Sequence, residues 1–505
     1  MPLHDHPNPS APAVIMASGG QRRSFAELDR RSKNLAATLQ ARGIGRGGHV
    51  AVLLANQPEF FDVAWATQRS GLYLTPVNWH LAPAEAGYII EDSGAQALIT
   101  SVEFGPLMTE LAESLTNVEV KLVAGGELEG FDPFEDAVAD TGLPAVDPEL
   151  EGAWMFYSSG TTGRPKGIEP PLTLEPFGTG PRLEMLLRGL YGFTEDTVYL
   201  SPAPLYHAAP LGWSTTTQRI GGSVVVMERF DPLQALRLIE EHRITHVQFV
   251  PTHFVRMLKL TDEERNRYDL SSLQTVVHAA APCPPEVKKQ MLDWFGPKIY
   301  EYYAGSEGTG FCAIGPDEWL AHVGSVGRAI VGVVHALDED GNDVPTGETG
   351  QLWFETDVHF EYHNDPTKTA AAFNARGMST IGDIGHVDEE GYVYLSDRVG
   401  NMIISGGVNI YPREIEDVLI MHPSVDDVAV IGVPDAEMGE SVKAFVQPAP
   451  GAEPGEELAA ELIAYARQNL SSFKCPRSVG FVEQLPRLPT GKLLKRNLVL
   501  DQTGS

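Results

Sequence analysis

At 505 residues, with 43% hydrophobic and 21% charged residues, the chain exceeds what one hydrophobic core usually serves and has the composition of a globular protein. Acidic residues outnumber basic ones by 68 to 37, a net charge of −31, so the surface repels polyanions and nucleic acid is not an expected partner. Cys283, Cys312 and Cys475 are odd in number and widely spaced with no CxxC pair, which argues against a disulfide framework or a zinc cluster and for a reducing cytoplasm.

The first twelve residues lack the apolar core of a signal peptide. No stretch approaches the ~18 apolar residues of a membrane helix, and the tail 501–505 carries no peroxisomal or prenylation signal, so stable membrane insertion is not expected. Ser24 ahead of Phe25, Leu28, Leu35 and Leu39 predicts a capped amphipathic helix ending near Gly43. A buried strand at 49–54, helix at 58–68, strand at 72–77, helix at 83–91 and strand at 96–101 continue as an alternation that implies a parallel sheet wrapped by helices. The apolar run 153–157 reads as a further strand. Beyond it come a helix at 181–191, strand at 222–228, helix at 232–242, strand at 245–250, strand at 273–279, helix at 284–295 and strand at 299–303. From about Gly324 the helices stop, and the turn 338–343 sits between β-rich segments, which predicts a small antiparallel subdomain. Past Arg398 a fresh unit begins, with a helix at 412–421, strands at 425–433 and 441–447, a helix at 455–469 and a strand at 478–483, a compact α+β domain. The expected class is therefore α/β, a large N-terminal domain of helix-wrapped sheets plus a β-rich subdomain (1–398), followed by a small mobile α+β domain (399–505).

The loop leaving the run 153–157 carries Ser158, Ser159, Gly160, Thr161, Thr162, Gly163, Arg164, Pro165 and Lys166. Small and hydroxylated residues let backbone N–H and side-chain O–H groups converge on phosphate oxygens, with Lys166 as the countercharge. Gly163 is separated from Lys166 by two residues and no Ser or Thr follows the lysine, so this is not the P-loop of kinases but another polyphosphate cradle. The stretch resembles the signature loop of the adenylate-forming superfamily, which holds acyl-CoA synthetases, luciferases and peptide-synthetase adenylation domains.

Other stretches extend the resemblance. Glu301-Tyr302-Tyr303-Ala304-Gly305-Ser306-Glu307 ends a strand, where open α/β sheets seat ligands. Tyr303 offers a flat face to a purine, Ser306 a hydroxyl to phosphate, and Glu307 a hard oxygen to Mg²⁺, a metal role shared with Thr162. The family has Gly where this chain has Ala304. The small residues Ala279, Ala280 and Ala281 match the segment that flanks adenine in the family. His207, in Pro204-Leu205-Tyr206-His207, matches the position lining the carboxylate side of the pocket. Asp383 resembles the family's ribose-binding aspartate, and Arg398 would hold ribose or phosphate oxygens. Two residues on, the family's interdomain hinge is usually Asp or Lys; here it is Gly400, which absorbs backbone rotation but offers no salt bridge. Ser405, Gly406, Gly407 and Asn409 resemble the loop walling the pantetheine channel, and Lys492 resembles the lysine that bridges the substrate carboxylate and the α-phosphate.

The resemblance implies two half-reactions using ATP, Mg²⁺ and coenzyme A: an acid's carboxylate attacks the α-phosphate to give acyl-AMP and pyrophosphate, then the CoA thiol displaces AMP. Lys492, Glu307, His207, Thr162 and Lys166 would be catalytic. Ala208, Gly212, Trp213, Ala279, Gly305, Gly310 and Phe311, mostly small or apolar, would line the acyl site, which suggests a medium-to-long or bulky hydrophobic acid, with aryl or steroid side-chain acids as the alternative. Many family members are dimers. Competing readings are an acyl-AMP ligase, a luciferase-like enzyme, a peptide-synthetase module (no carrier domain follows Lys492) and a non-catalytic acyl- or nucleotide-binding protein. Ala304-Gly305-Ser306-Glu307-Gly308 also fits a small-x-Ser-x-Gly serine-hydrolase elbow, which requires a helix directly after the serine; none is predicted. His242 and His246 are four apart, but no Glu follows the first and the second enters a strand, so no metal site is read there.

Overall fold

The computed structural model describes residues 3–158, 165–405, 408–435, 438–487, 493–495 and 498. The chain folds as two compact units. One comprises residues 1–249, 256–277 and 359–371, the other 250–255, 278–358 and 372–505.

The first unit is built on two mainly parallel sheets. One runs in the order Asp132–Pro133, Val120–Ala124, Ala97–Ser101, His49–Leu53, Tyr73–Pro76, Ala153–Trp154, every neighbouring pair parallel. The other runs His246–Phe249, Val198–Ser201, Ser223–Val226, Pro12–Met16, with the short antiparallel edge Arg22–Ser24. The helix Phe25–Ala41 starts at a capping box, in which Ser24 Oγ accepts from the Glu27 N–H and the Glu27 carboxylate accepts from the Ser24 N–H, satisfying two end donors reciprocally. Its Leu28, Leu35 and Leu39 are fully buried. Proline at the first turn opens Pro58–Gln68 and Pro83–Asp92, where no N–H partner is lost.

The run 153–157 is not one strand. Ala153–Trp154 extends the parallel sheet, Met155 is fully buried and bonds its N–H to the Leu74 carbonyl, and Phe156–Ser158 then enters a small antiparallel sheet with Lys166–Glu169 and Glu361–Tyr362. The helix Ala208–Ile220 was not foreseen because Pro210–Ile220 is buried all round, which leaves no polar stripe to read. Several of its hydrophilic residues are satisfied inside: Thr215 and Thr217 donate to the Leu211 and Trp213 carbonyls, and Arg219 makes a bidentate pair with Glu151.

The second unit holds an antiparallel sheet ordered Ile299–Ala304, Phe311–Ile314, Ser325–Val331, Val393–Arg398, Asp383–Val387, Gly350–Glu355, Val333–Leu337. The β-rich reading after Gly324 holds for these strands, but the helix Pro366–Ala371 interrupts them in sequence and belongs to the first unit. The C-terminal sheet pairs Val408–Ile410, Ile403–Ser405, Gly439–Pro448 and Val425–Asp435, with Ser478–Phe481 added in parallel. The helices Pro412–Leu419 and Glu456–Asn469 contribute Ile415, Leu419, Leu458 and Leu462 to its core. No helix among the described residues is long and apolar enough to cross a membrane.

Candidate active site

In the first unit, Ser158 and Lys166 face each other as the last and first residues of the paired strands Phe156–Ser158 and Lys166–Glu169. Ser159, Gly160, Thr161, Thr162 and Gly163, together with Gly406, Gly407 and Lys492, lie outside the described residues. The Lys166 ammonium sits 4.9 Å from the centre of the Tyr362 ring. Four residues that sequence reasoning missed grip the stems of this hairpin. Tyr157 donates its hydroxyl to Asp92 Oδ2 at 2.7 Å, and His363 stands between Glu169 Oε2 and the Asp92 carbonyl, the latter at 2.8 Å from Nε2. The same His363 bonds its backbone N–H to the Gly167 carbonyl. A methyl at Gly167 would come within 3 Å of the Met155 and Tyr157 side chains and 3.1 Å of the His363 Cβ, so a side chain there would force these neighbours to shift.

His207 caps the helix Ala208–Ile220 in extended conformation, half-buried, with its ring 4.5 Å from that of Tyr206. Tyr206 in turn meets His80 Nδ1 at 3.1 Å. Ala208 is half-buried and Gly212 buried, the latter covered by Leu183 and Trp154. Trp213 is 2% exposed in an aromatic cluster with Tyr191, Phe193 and Tyr199, a core position.

In the second unit, Tyr303, Asp383 and Arg398 come together although widely separated in sequence. Asp383 Oδ2 accepts from the Tyr303 hydroxyl at 2.6 Å and Oδ1 from Arg398 Nε at 3.0 Å. Burial, then Asp383, pushes the Tyr303 phenol well above its ordinary range, so it stays a donor. Tyr302, on the opposite face of the strand, stacks on Phe311 with centroids 5.0 Å apart. Ala279 is buried, and Ala280 beyond it is exposed with φ at 73°, a left-handed conformation costly for alanine; Ala281 is half-buried. Gly305 lies under the half-buried Glu307 carboxylate and Ile381, while Ser306 is exposed and followed by a turn, not a helix. Gly310 is buried because the Phe354 ring occupies the space a side chain would take. Ser405 is buried on Ile403–Ser405, and Asn409 is exposed on the strand paired with it.

Glu301 is turned inward. Its carboxylate is 2.6 Å from Lys288 Nζ and 3.4 Å from His278 Nε2, all three side chains being buried, and Lys288 rests against Trp319. Burial alone would raise the Glu301 carboxyl, but Lys288 and His278 hold it below the ordinary carboxylate range. Burial drives the His278 imidazole down to about 3, with Glu301 opposing only in part. A second node lies beside Arg398: Asp397 accepts from the N–H groups of Arg398 and Arg413 and from Asn401 Nδ2, while Arg413 donates to the Leu395 carbonyl. No described cluster of three or more His, Cys, Asp or Glu could hold a metal ion.

Residues 4–360 match the AMP-binding enzyme family and 414–492 its C-terminal domain. The chain belongs to this family of adenylate-forming acid–CoA ligases, AMP-forming enzymes that use ATP and coenzyme A. It is 34% identical to a feruloyl-CoA synthase of Amycolatopsis sp., over 96% of this chain and 94% of that one. It is 33% identical to the fatty acid–acyl-carrier-protein ligase ScoC of Streptomyces coeruleorubidus, over 98% and 94%. The amide bond synthetase McbA of Marinactinospora thermotolerans superposes with a TM-score of 0.84 at 29% identity, over 99% and 98% of the two chains.

Proposed function

We propose that this chain activates a hydrophobic carboxylic acid, of medium or long chain or with a bulky skeleton, as its acyl-adenylate and passes it to coenzyme A. The observation that carries the reading is the Tyr303–Asp383–Arg398 node, a buried aspartate held by two donors with its remaining lone pairs suited to a ribose diol. Asp383 and Arg398 hold the ribose, Tyr303 and Ala279–Ala281 border the adenine, and Ser158–Gly163 with Lys166 cradle the phosphates. The acid's carboxylate oxygen bonds to the α-phosphorus as the bond to pyrophosphate breaks, and Lys492 stabilises the charge that gathers on the α-phosphoryl oxygens. The CoA thiolate then bonds to the acyl carbon as the bond to AMP breaks, with His207 lining the carboxylate side and Ser405 to Asn409 walling the thiol's approach. The half-buried Glu307 carboxylate is the hard oxygen ligand that Mg²⁺ takes, and with Thr162 it would hold the ion, which keeps most of its shell in water and phosphate and would neutralise phosphate charge when bound.

Residues 1–398 form the adenylation domain and 399–505 a mobile domain turning at Gly400, in a homodimer of the reducing cytoplasm that the three free, buried thiols suit. Hydrophobic selectivity rests on Gly212 under Leu183 and Trp154, with no fixed cation among the acyl-site residues. A second reading, an aryl acid, is favoured by the likeness to a feruloyl-CoA synthase and by the stacked Tyr302 and Phe311. Acyl-CoA formation across acetate, octanoate, palmitate, benzoate, ferulate and a steroid acid decides between them. Preference for acetate or an amino acid defeats both.

A further inference from the structure

We propose that Asn56 and Tyr206 are positioning residues that fix the loop 203–207 from two sides, so that His207 faces the carboxylate of the acid; this rests on the ligase reading above.

Asn56 follows the strand His49–Leu53 at the carboxyl edge of the first parallel sheet and is 7% exposed. Its side chain meets the other parallel sheet. Oδ1 accepts from the Leu205 N–H at 2.8 Å, while Nδ2 donates to the Ala203 carbonyl at 3.1 Å and the Met227 carbonyl at 2.7 Å. Ala203 and Leu205 lie on the loop joining the strand Val198–Ser201 to the helix Ala208–Ile220, and Met227 directly follows the strand Ser223–Val226. One N–H and two carbonyls call for an acceptor and two donors on a single short side chain, and among side chains of that length only asparagine supplies them. Aspartate would set an anion against two carbonyls, and leucine would answer none of the three.

The second tie comes from the strand Tyr73–Pro76, which pairs with His49–Leu53. Just beyond it, His80 Nδ1 meets the Tyr206 hydroxyl at 3.1 Å. Asn78 Oδ1 accepts from the His80 N–H, and the Trp79 ring stacks on the imidazole, which steadies this anchor. The loop itself is stiff. Pro202 and Pro204 fix two of its φ angles, and the His207 N–H closes a turn on the Pro204 carbonyl at 3.3 Å. Leu205 and Tyr206 are buried, and the Tyr206 ring lies 4.5 Å from that of His207. His207 is extended and stands just before the helix, so the loop backbone aims its ring, with Tyr206 alongside. Two anchors on one sheet thus hold a loop of the other, at the strand ends where α/β sheets seat ligands.

The test is kcat/KM for the acid in acyl-CoA formation, using whichever of octanoate, palmitate and ferulate the wild type turns over best. The variants are Asn56→Ala, Tyr206→Phe, His207→Ala, and each of the first two combined with the third. Asn56→Ala should lower kcat/KM about ten-fold, the scale of an active group displaced by a fraction of an ångström. Tyr206→Phe keeps the ring and loses one neutral hydrogen bond, and should lower it about five-fold. The KM for ATP should stay within about two-fold in both, since the loop faces the carboxylate and not the nucleotide. With His207 already replaced by alanine, neither change should cost more than about two-fold further, because no imidazole is left to aim. A loss that persists in full in that background means a merely structural role, and a single variant as active as the wild type means no positioning. Either overturns the proposal, as does a fully active His207→Ala, and all three leave the ligase reading intact. A wild type that makes acyl-CoA from none of the three acids overturns the ligase reading as well. Should Asn56→Ala fail to fold, Tyr206→Phe, alone and with His207→Ala, carries the test and is refuted by the same results.

Discussion

Replacing Lys288 by methionine removes a charge without emptying the space, and isolates what the buried ion pair does. Lys288 Nζ is the cation nearest the Glu301 carboxylate, at 2.6 Å, and the other neighbour, His278, is driven neutral by burial. In the variant the carboxylate either stays charged in a site 6% exposed or takes up a proton. Protonation is the cheaper route: holding a glutamate neutral at pH 7 costs about 3.5 kcal/mol, within the ~3–5 kcal/mol typical of breaking one partner from a buried pair. The sign of the pH dependence follows. In the variant Glu301 binds its proton more tightly folded than unfolded, so the deficit shrinks as pH falls, to about 1 kcal/mol at pH 5. Unfolding in urea, followed by tryptophan fluorescence at both pH values, gives the two numbers. The double variant Lys288→Met with Glu301→Gln removes both charges and should recover most of the loss. A double variant as unstable as the single, or a deficit independent of pH, would refute the reasoning.

Further outcomes follow from single residues. His246 is buried, with Nε2 2.9 Å from the Tyr191 carbonyl, and burial takes its imidazole down to about 4 despite that acceptor. The unfolded chain binds this proton near pH 6.5 and the folded one only near 4, so stability present above 6.5 is lost as pH falls, by about 3 kcal/mol; His246→Gln should flatten that slope in denaturation measured at about pH 7 and 4.5, either side of the ordinary imidazole range. Ala280 holds φ at 73° on an exposed turn, and Ala280→Gly relieves ~1–2 kcal/mol of strain against the extra freedom of unfolded glycine, a net gain of about 0.5 kcal/mol readable in urea unfolding. At Gly310 an added methyl would overlap the Phe354 ring, so Gly310→Ala should cost about 3 kcal/mol by the same method, with partial recovery when Phe354 is shortened to leucine.

Periodicity and end signals made much of the fold legible. Ser24 and the apolar spacing after it announced the first helix, and the strand–helix alternation placed helices at 58–68 and 83–91 that the structure keeps. What escaped was decided by packing. The helix Ala208–Ile220 hides its polar residues inside, and the strands Pro12–Met16 and Val198–Ser201 are short runs that tertiary neighbours alone make into sheet. The same holds at the site. Tyr303, Asp383 and Arg398 were named from local motifs, and the structure joins them by hydrogen bonds no local pattern encodes. One motif groups Glu301, Tyr302 and Tyr303, whereas strand alternation puts Glu301 and Tyr303 on one face with Tyr302 opposite, and Lys288 beside Glu301 turns its carboxylate inward. His363 carried no signal at all, because its role arises from three elements meeting.

Isotope exchange between pyrophosphate and ATP, without CoA, tests the central claim that a carboxylic acid is activated as its adenylate with help from Lys492. The wild type should exchange only when a hydrophobic acid is present, and Lys492→Ala should exchange slower by about a hundred-fold or more, the scale of losing a charge aimed at a transition state. Exchange that needs no acid, or that runs at the parental rate in the variant, would contradict it.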